Sequence, residues 1–161
     1  MKMPRWLKFI CVTLLTVAVL VSLSGCQSKE VKPAAVSGAV KSDATAVQVE
    51  KGKPYSTANE VAAYIHKFRQ LPPNFISKQE AQKLGWDQAK GNLWQVADRK
   101  SIGGDRFANR EGKLPVASGR QYYECDIDYR GGFRGAKRLV YSNDGLVFYS
   151  EDHYKTFRQL Y

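Results

Sequence analysis

Glu124, Arg134, Arg138 and His153 are the residues of this chain whose types and spacing suit chemistry at a phosphate ester. A carboxylate can take a proton from an attacking hydroxyl, an imidazole can give one to the departing oxygen, and guanidinium groups can hold the charge that grows on phosphorus. Arginine suits the last task better than lysine, because its planar donors engage two oxygens at once. Each residue also has an ordinary explanation. A glutamate opposite an arginine can be a plain cross-strand ion pair, and exposed pairs are common and weak. A lone histidine near a strand end can be a surface residue.

These side chains need a sheet to bring them together. The run Tyr122 to Tyr129 alternates polar with apolar from Glu124 onward, the period of a half-buried strand, so Glu124, Asp126 and Asp128 share one face. Arg130-Gly131-Gly132 breaks the run, and Ala136 to Tyr141 reads as the return strand. A loop centred on Gly131 sets Glu124 opposite Arg138 and Asp128 opposite Arg134. Asn143-Asp144-Gly145 is a hairpin signal before Leu146 to Tyr149, and His153 follows at that end of the sheet.

Upstream, the pattern turns helical. Thr57-Ala58-Asn59-Glu60 has the form of a capping box, Val61, Tyr64, Ile65 and Phe68 recur at helical spacing, and Leu71-Pro72-Pro73 ends the helix. A second box, Ser77-Lys78-Gln79-Glu80, opens a short helix carrying Ala81 and Leu84, with Gly85 as its C-terminal cap; Asn92 to Ala97 suits a third. Ser101 to Pro115 mixes glycines with clustered charges and reads as loop, the usual carrier of binding residues. Helices first and antiparallel strands afterwards predict a single α+β domain over residues 54–161. That length suffices for one core without disulfides.

The remainder of the 161 residues has another character. Lys2, Arg5 and Lys8 precede an apolar run from Phe9 to Leu23, the layout of a signal peptide over residues 1–25. Leu23-Ser24-Gly25-Cys26 resembles the lipobox of bacterial lipoproteins, which would make Cys26 the lipid-bearing first residue and a membrane anchor. An ordinary secretory signal that precedes a cysteine is the alternative. Either leader takes the mature chain out of the cytoplasm. Residues 26–53 are dominated by Ala, Val, Ser, Lys, Gly and Pro, cannot repay their ordering entropy by burial, and read as a flexible tether.

The leader takes three positive charges and no acid from a formal charge of +10, so +7 stays with the mature chain. That excess predicts attraction to polyanions, whether RNA or an anionic membrane surface. Cys125 is left without a partner, which excludes a disulfide framework in the domain, and reads as a small buried hydrophobe. His66 and His153 are the only histidines and lack ligand-like spacing, so no metal or other cofactor is expected; His66 reads as structural or exposed.

Longer phrases carry a resemblance. Leu84-Gly85-Trp86, Lys90-Gly91-Asn92-Leu93, Lys100-Ser101-Ile102-Gly103-Gly104-Asp105, Asn109-Arg110-Glu111-Gly112-Lys113-Leu114-Pro115 and Asp152-His153-Tyr154 make the chain from about Val61 to Phe157 similar to the barnase-like guanyl-specific secreted ribonucleases of bacteria. The resemblance implies their fold, helices packed on a C-terminal antiparallel sheet. It implies Glu124 as general base, His153 as general acid, Arg134 and Arg138 as phosphate-binding residues, and Lys78 and Arg110 as further basic residues of the site. Phe107, Ala108, Asn109, Arg110 and Glu111 match the loop that receives guanine through backbone amides and a carboxylate, with Tyr154 beside the nucleotide. Ala108 departs from the family serine, so one hydroxyl contact is missing. RNA is then the substrate, cut through a 2′,3′-cyclic phosphate by a monomer that a small acidic inhibitor protein can block. The reading from another class is a lipid-tethered protein that holds RNA or another polyanion on its basic face without turnover.

Overall fold

The computed structural model describes residues 47–161. The expected signal peptide, Cys26 and the tether up to residue 46 lie outside the described residues.

Helix α1 (Ala58–Phe68) starts where expected. Thr57 caps it, its hydroxyl donating to the Glu60 carboxylate at 2.6 Å, and Arg69 closes it in the left-handed conformation at φ 56°. Val61, Ala62 and Ile65 turn into one core with Cys125, Ile127, Leu139 and Val147 from a single face of the sheet. Burying side chains of this size is worth about 1.5–3 kcal/mol each, so this face fixes how the helix sits.

The packed unit begins earlier than residue 54. Val49 is buried against Ala63 and Tyr64, its carbonyl accepts from Lys67 Nζ at 3.0 Å, and the Gly52 N–H donates to the Tyr64 hydroxyl at 3.0 Å. Residues 47–53 are therefore a strap on α1 rather than tether, because one valine finds an apolar slot and the backbone around it finds partners.

Strand β1 (Phe75–Ile76) leads into α2 (Lys78–Lys83), whose capping box is complete: the Ser77 N–H donates to Glu80 Oε2 at 3.0 Å, and the Glu80 N–H returns to Ser77 Oγ at 3.2 Å. Gly85 follows α2 at φ 96°, as its capping role requires, while Leu84 points to solvent. The short α3 (Leu93–Val96) packs Leu93 with Ala81, Trp86, Ile102 and Tyr129 in a second core.

The sheet has six strands in chain order: β1, β2 (Ser101–Phe107), β3 (Tyr122–Asp126), β4 (Arg138–Ser142), β5 (Val147–Ser150) and β6 (Arg158–Gln159). β1 runs parallel to β2 and every other pair is antiparallel, which makes the fold α+β as expected. β2 corrects the reading of residues 101–115 as loop. Its glycines serve close packing: a Cβ on Gly103 would lie 2.6 Å from the Cys125 Cβ and 2.8 Å from the Phe75 ring. Gly104, at φ 92°, sits where the register with β3 shifts between Gly103 and Asp105.

Candidate active site

The site lies on the sheet face turned away from α1. In β3 and β4, Asp126 faces Arg138 and Glu124 faces Val140. The loop thus centres on Gly132, one residue later than expected, and the pairings of Glu124 with Arg138 and of Asp128 with Arg134 are not formed. Asp128 has left the strand: it is left-handed at φ 56°, its N–H bonds the Ser56 carbonyl at 2.9 Å, and its carboxylate takes Lys137. Tyr129 folds back into the second core and donates to the Gly132 carbonyl, so the connection is a packed loop.

Glu124 is 7 % exposed and receives two donors. Lys78 Nζ reaches Oε1 at 2.5 Å and the Tyr154 hydroxyl donates to Oε2 at 2.5 Å. Burial alone would push this carboxyl up, but the Lys78 ammonium, the Tyr154 hydroxyl and the nearby Arg134 charge outweigh it, holding the group below the usual glutamate range and ionised at neutral pH. Burial and the facing carboxylate push the Tyr154 phenol up, which keeps it a donor. Lys78 is aimed by Asp105, the residue opposite Glu124 on β2, whose carboxylate accepts the Lys78 backbone N–H at 3.1 and 3.3 Å.

The two arginines converge on Asp126, which is 2 % exposed. Arg134 grips it with two parallel bonds, Nε and Nη2 each at 2.7 Å, and Arg138 Nε lies 3.1 Å from the same carboxylate. Arg138 also donates to the Tyr154 hydroxyl at 3.1 Å and spends Nη1 on the carbonyls of Gly135 and Lys137. With five N–H donors per guanidinium, Nη1 of Arg134 and Nη2 of Arg138 keep donors for an anion beside Glu124.

His153 is exposed and lies on the segment after β5. Asp152 shapes that segment: its carboxylate accepts from Ser150 Oγ, Thr156 Oγ1 and the N–H groups of Lys155 and Thr156. These bonds hold the Asp152 carboxyl well below the usual range. His153 and Tyr154 are both left-handed, at φ 57° and 69°, with the Tyr154 N–H bound to Ser150 Oγ. Two such residues in a row carry strain that the Asp152 bonds hold in place.

A cavity of about 380 Å³ opens here, lined by Phe107, Ala108, Asn109, Arg110, Glu111, Lys113, His153, Tyr154, Lys155 and Phe157. It takes in the whole 107–111 loop along with His153. Tyr154 joins the two halves of the site, since its ring lies 4.7 Å from the His153 ring while its hydroxyl touches Glu124. Asn109, left-handed at φ 44°, closes the loop by donating to the Leu114 carbonyl at 2.9 Å and accepting its N–H at 3.1 Å. Its side chain therefore shapes the loop and is spent within it.

Sequence reasoning missed Asp105, Asp126, Asp152 and Lys113. Asp126 was within reach, two residues from Glu124 on the same strand face, and the displaced register hid it. Asp105 was hidden by reading β2 as loop. Among the described residues no three His, Cys, Asp or Glu side chains gather in a way that could hold a metal ion. Cys125 is buried and unpaired, and His66 is exposed and stacked on Tyr161 at 4.2 Å.

Comparison with known proteins adds an independent line. A family model described as ribonuclease matches residues 57–161. A ribonuclease of Heyndrickxia coagulans is 53% identical over 105 residues, which cover 65% of this chain and 96% of that protein. A ribonuclease of Bacillus intermedius is also 53% identical over 105 residues, with 65% of each chain covered. Guanyl-specific ribonuclease St of Saccharopolyspora erythraea is 45% identical over 56 residues, 34% of this chain and 55% of that protein.

Proposed function

The chain belongs to the ribonuclease family, and from that footing we propose that it is a metal-independent endoribonuclease cutting single-stranded RNA after guanosine, with Glu124 as general base and His153 as general acid. The observation that carries this reading is Tyr154, which touches the buried, ionised Glu124 and the exposed His153 and forms a wall of the cavity beside them.

Glu124 removes the proton of the ribose 2′-hydroxyl and the freed oxygen attacks phosphorus. The bond to the 5′-oxygen breaks and His153 protonates that leaving oxygen, which gives a 2′,3′-cyclic phosphate. Water opens the ring in the second half, with His153 as base and Glu124 returning the proton, leaving a 3′-phosphate. Lys78 and the free donors of Arg134 and Arg138 hold the charge on the phosphoryl oxygens. DNA lacks the attacking hydroxyl and is not cut.

Guanine enters the cavity along the 107–111 loop, where backbone amides face its carbonyl edge and Glu111 accepts from its donor edge. Phe107 and Tyr154, with ring centroids 5.2 Å apart, give it aromatic surface. Ala108 offers no hydroxyl, so the preference rests on backbone donors and Glu111.

The decisive assay is cleavage of GpN and ApN dinucleotides with chelator present. Glu124→Ala and His153→Ala should each abolish release of the cyclic phosphate while salt-sensitive RNA binding persists. Turnover that survives both substitutions sinks the assignment. Export and lipid anchoring at Cys26 rest on the leader sequence, and an intact-mass measurement on the membrane fraction tests them. Action as a monomer, blocked by an acidic inhibitor protein docking on the Arg134 and Arg138 face, completes the reading. Unchanged inhibitor affinity in Arg134→Ala or Arg138→Ala rejects that face.

A further inference from the structure

Lys113 does something that neither the reaction nor the base-binding loop requires. Its ammonium forms an ion pair with Glu111 Oε2 at 2.7 Å and donates to the Tyr154 carbonyl at 3.1 Å, so one side chain ties together the two walls of the cavity. Glu111 has no other bond from a described residue and its side chain is 74 % exposed. A glutamate so placed would sample many rotamers, and ordering it on substrate would cost affinity. The pair on its own would be an ordinary surface ion pair of little worth. The Tyr154 carbonyl changes that, because it anchors the ammonium to a segment already held by Asp152 and Ser150.

The geometry points to Lys113 as the specificity-determining residue of this cavity: it pre-positions the Glu111 carboxylate for a base that presents two adjacent N–H donors. The ammonium contacts Oε2 alone, leaving Oε1 and the remaining acceptor capacity of Oε2 for the N1–H and the 2-amino group of guanine. Adenine presents no such edge, so fixing Glu111 favours guanine alone. Lys113 is a positioning residue and acts through Glu111.

This inference rests on the guanine reading above, and the assay separates the two. The readout is the ratio of kcat/KM for GpN over ApN, in which any general effect on the Tyr154 segment cancels. In Lys113→Met the ratio should fall by roughly three- to tenfold, the size of one rotamer-rich side chain left to be ordered, with the loss mainly in the KM for GpN. Lys113→Arg, which keeps two donors, should recover most of the ratio. InpN, whose base lacks the 2-amino group, should be less affected by Lys113→Met than GpN. A ratio unchanged in Lys113→Met but collapsed in Glu111→Ala overturns the role of Lys113 and leaves the guanine reading standing. A wild-type ratio near one overturns both.

Discussion

Asp126 and Arg134 meet through two parallel 2.7 Å bonds in a part of the sheet almost closed to water. The pair shows how the site is built. The two guanidinium groups proposed to face the phosphate are themselves held by one buried carboxylate.

Asp126→Asn keeps the shape and removes the charge. Arg134 and Arg138 would then be buried without their counter-ion, and breaking such a pair from one side costs about 3–5 kcal/mol. Urea unfolding should report a loss of that order, and added phosphate should restore more stability to the variant than to the wild type. Equal gains in both would mean that the guanidinium groups are not exposed to the anion.

Tyr154→Phe removes a donor from Glu124 and leaves the ring in the cavity wall. Since that hydroxyl helps hold the carboxyl low, its loss should raise the pKa of Glu124, and the acid limb of the kcat/KM profile should move to higher pH. A profile that stays in place argues that Lys78 and Arg134 alone set the ionisation of Glu124.

Stability should depend on pH through the same carboxylate. Its folded pKa is depressed, so its contribution is complete above the unfolded value of about 4.3 and is lost as pH falls through the folded pKa. Unfolding free energy measured from pH 6 downward should therefore decline on the acid side, and in Glu124→Gln that decline should be shallower. Asp152, also depressed, bends the curve in the same direction in both proteins.

Gly103→Ala tests the packing of β2. The added methyl would meet the Cys125 Cβ and the Phe75 ring, both well inside contact distance, and overpacking of this kind costs about 1–3 kcal/mol. A melting temperature unchanged from wild type would show that β1 and β3 can spread without penalty.

Much of the molecule could be read before its structure. The helix starts follow from local chemistry, a threonine or serine three residues before a glutamate, and they are formed at Thr57 and Ser77. The hairpin at Asn143-Asp144-Gly145 is equally local. The register of β3 with β4 was not legible, because Asp128 bonds the distant Ser56 carbonyl and Tyr129 packs among Ala81, Trp86 and Leu93, contacts that pull the loop one residue along. β2 escaped for a related reason: Gly103 looks like a loop residue until the Cys125 and Phe75 side chains that demand it are in place, and Gly104 until its left-handed backbone at the register shift is seen. In the site, reactive types were recognisable, whereas Asp105, Asp126, Asp152 and Lys113 act on other residues and are visible only as geometry.

The cleft draws on widely separated parts of the polypeptide. Lys78 comes from α2, ahead of β2, whereas His153 and Tyr154 follow β5. During synthesis, a chain halted short of His153 has neither that imidazole nor the Tyr154 phenol, and Glu124 stands beside half of its partners. Any capacity to damage the RNA of the producing cell is thus postponed until the distal segment has emerged and docked.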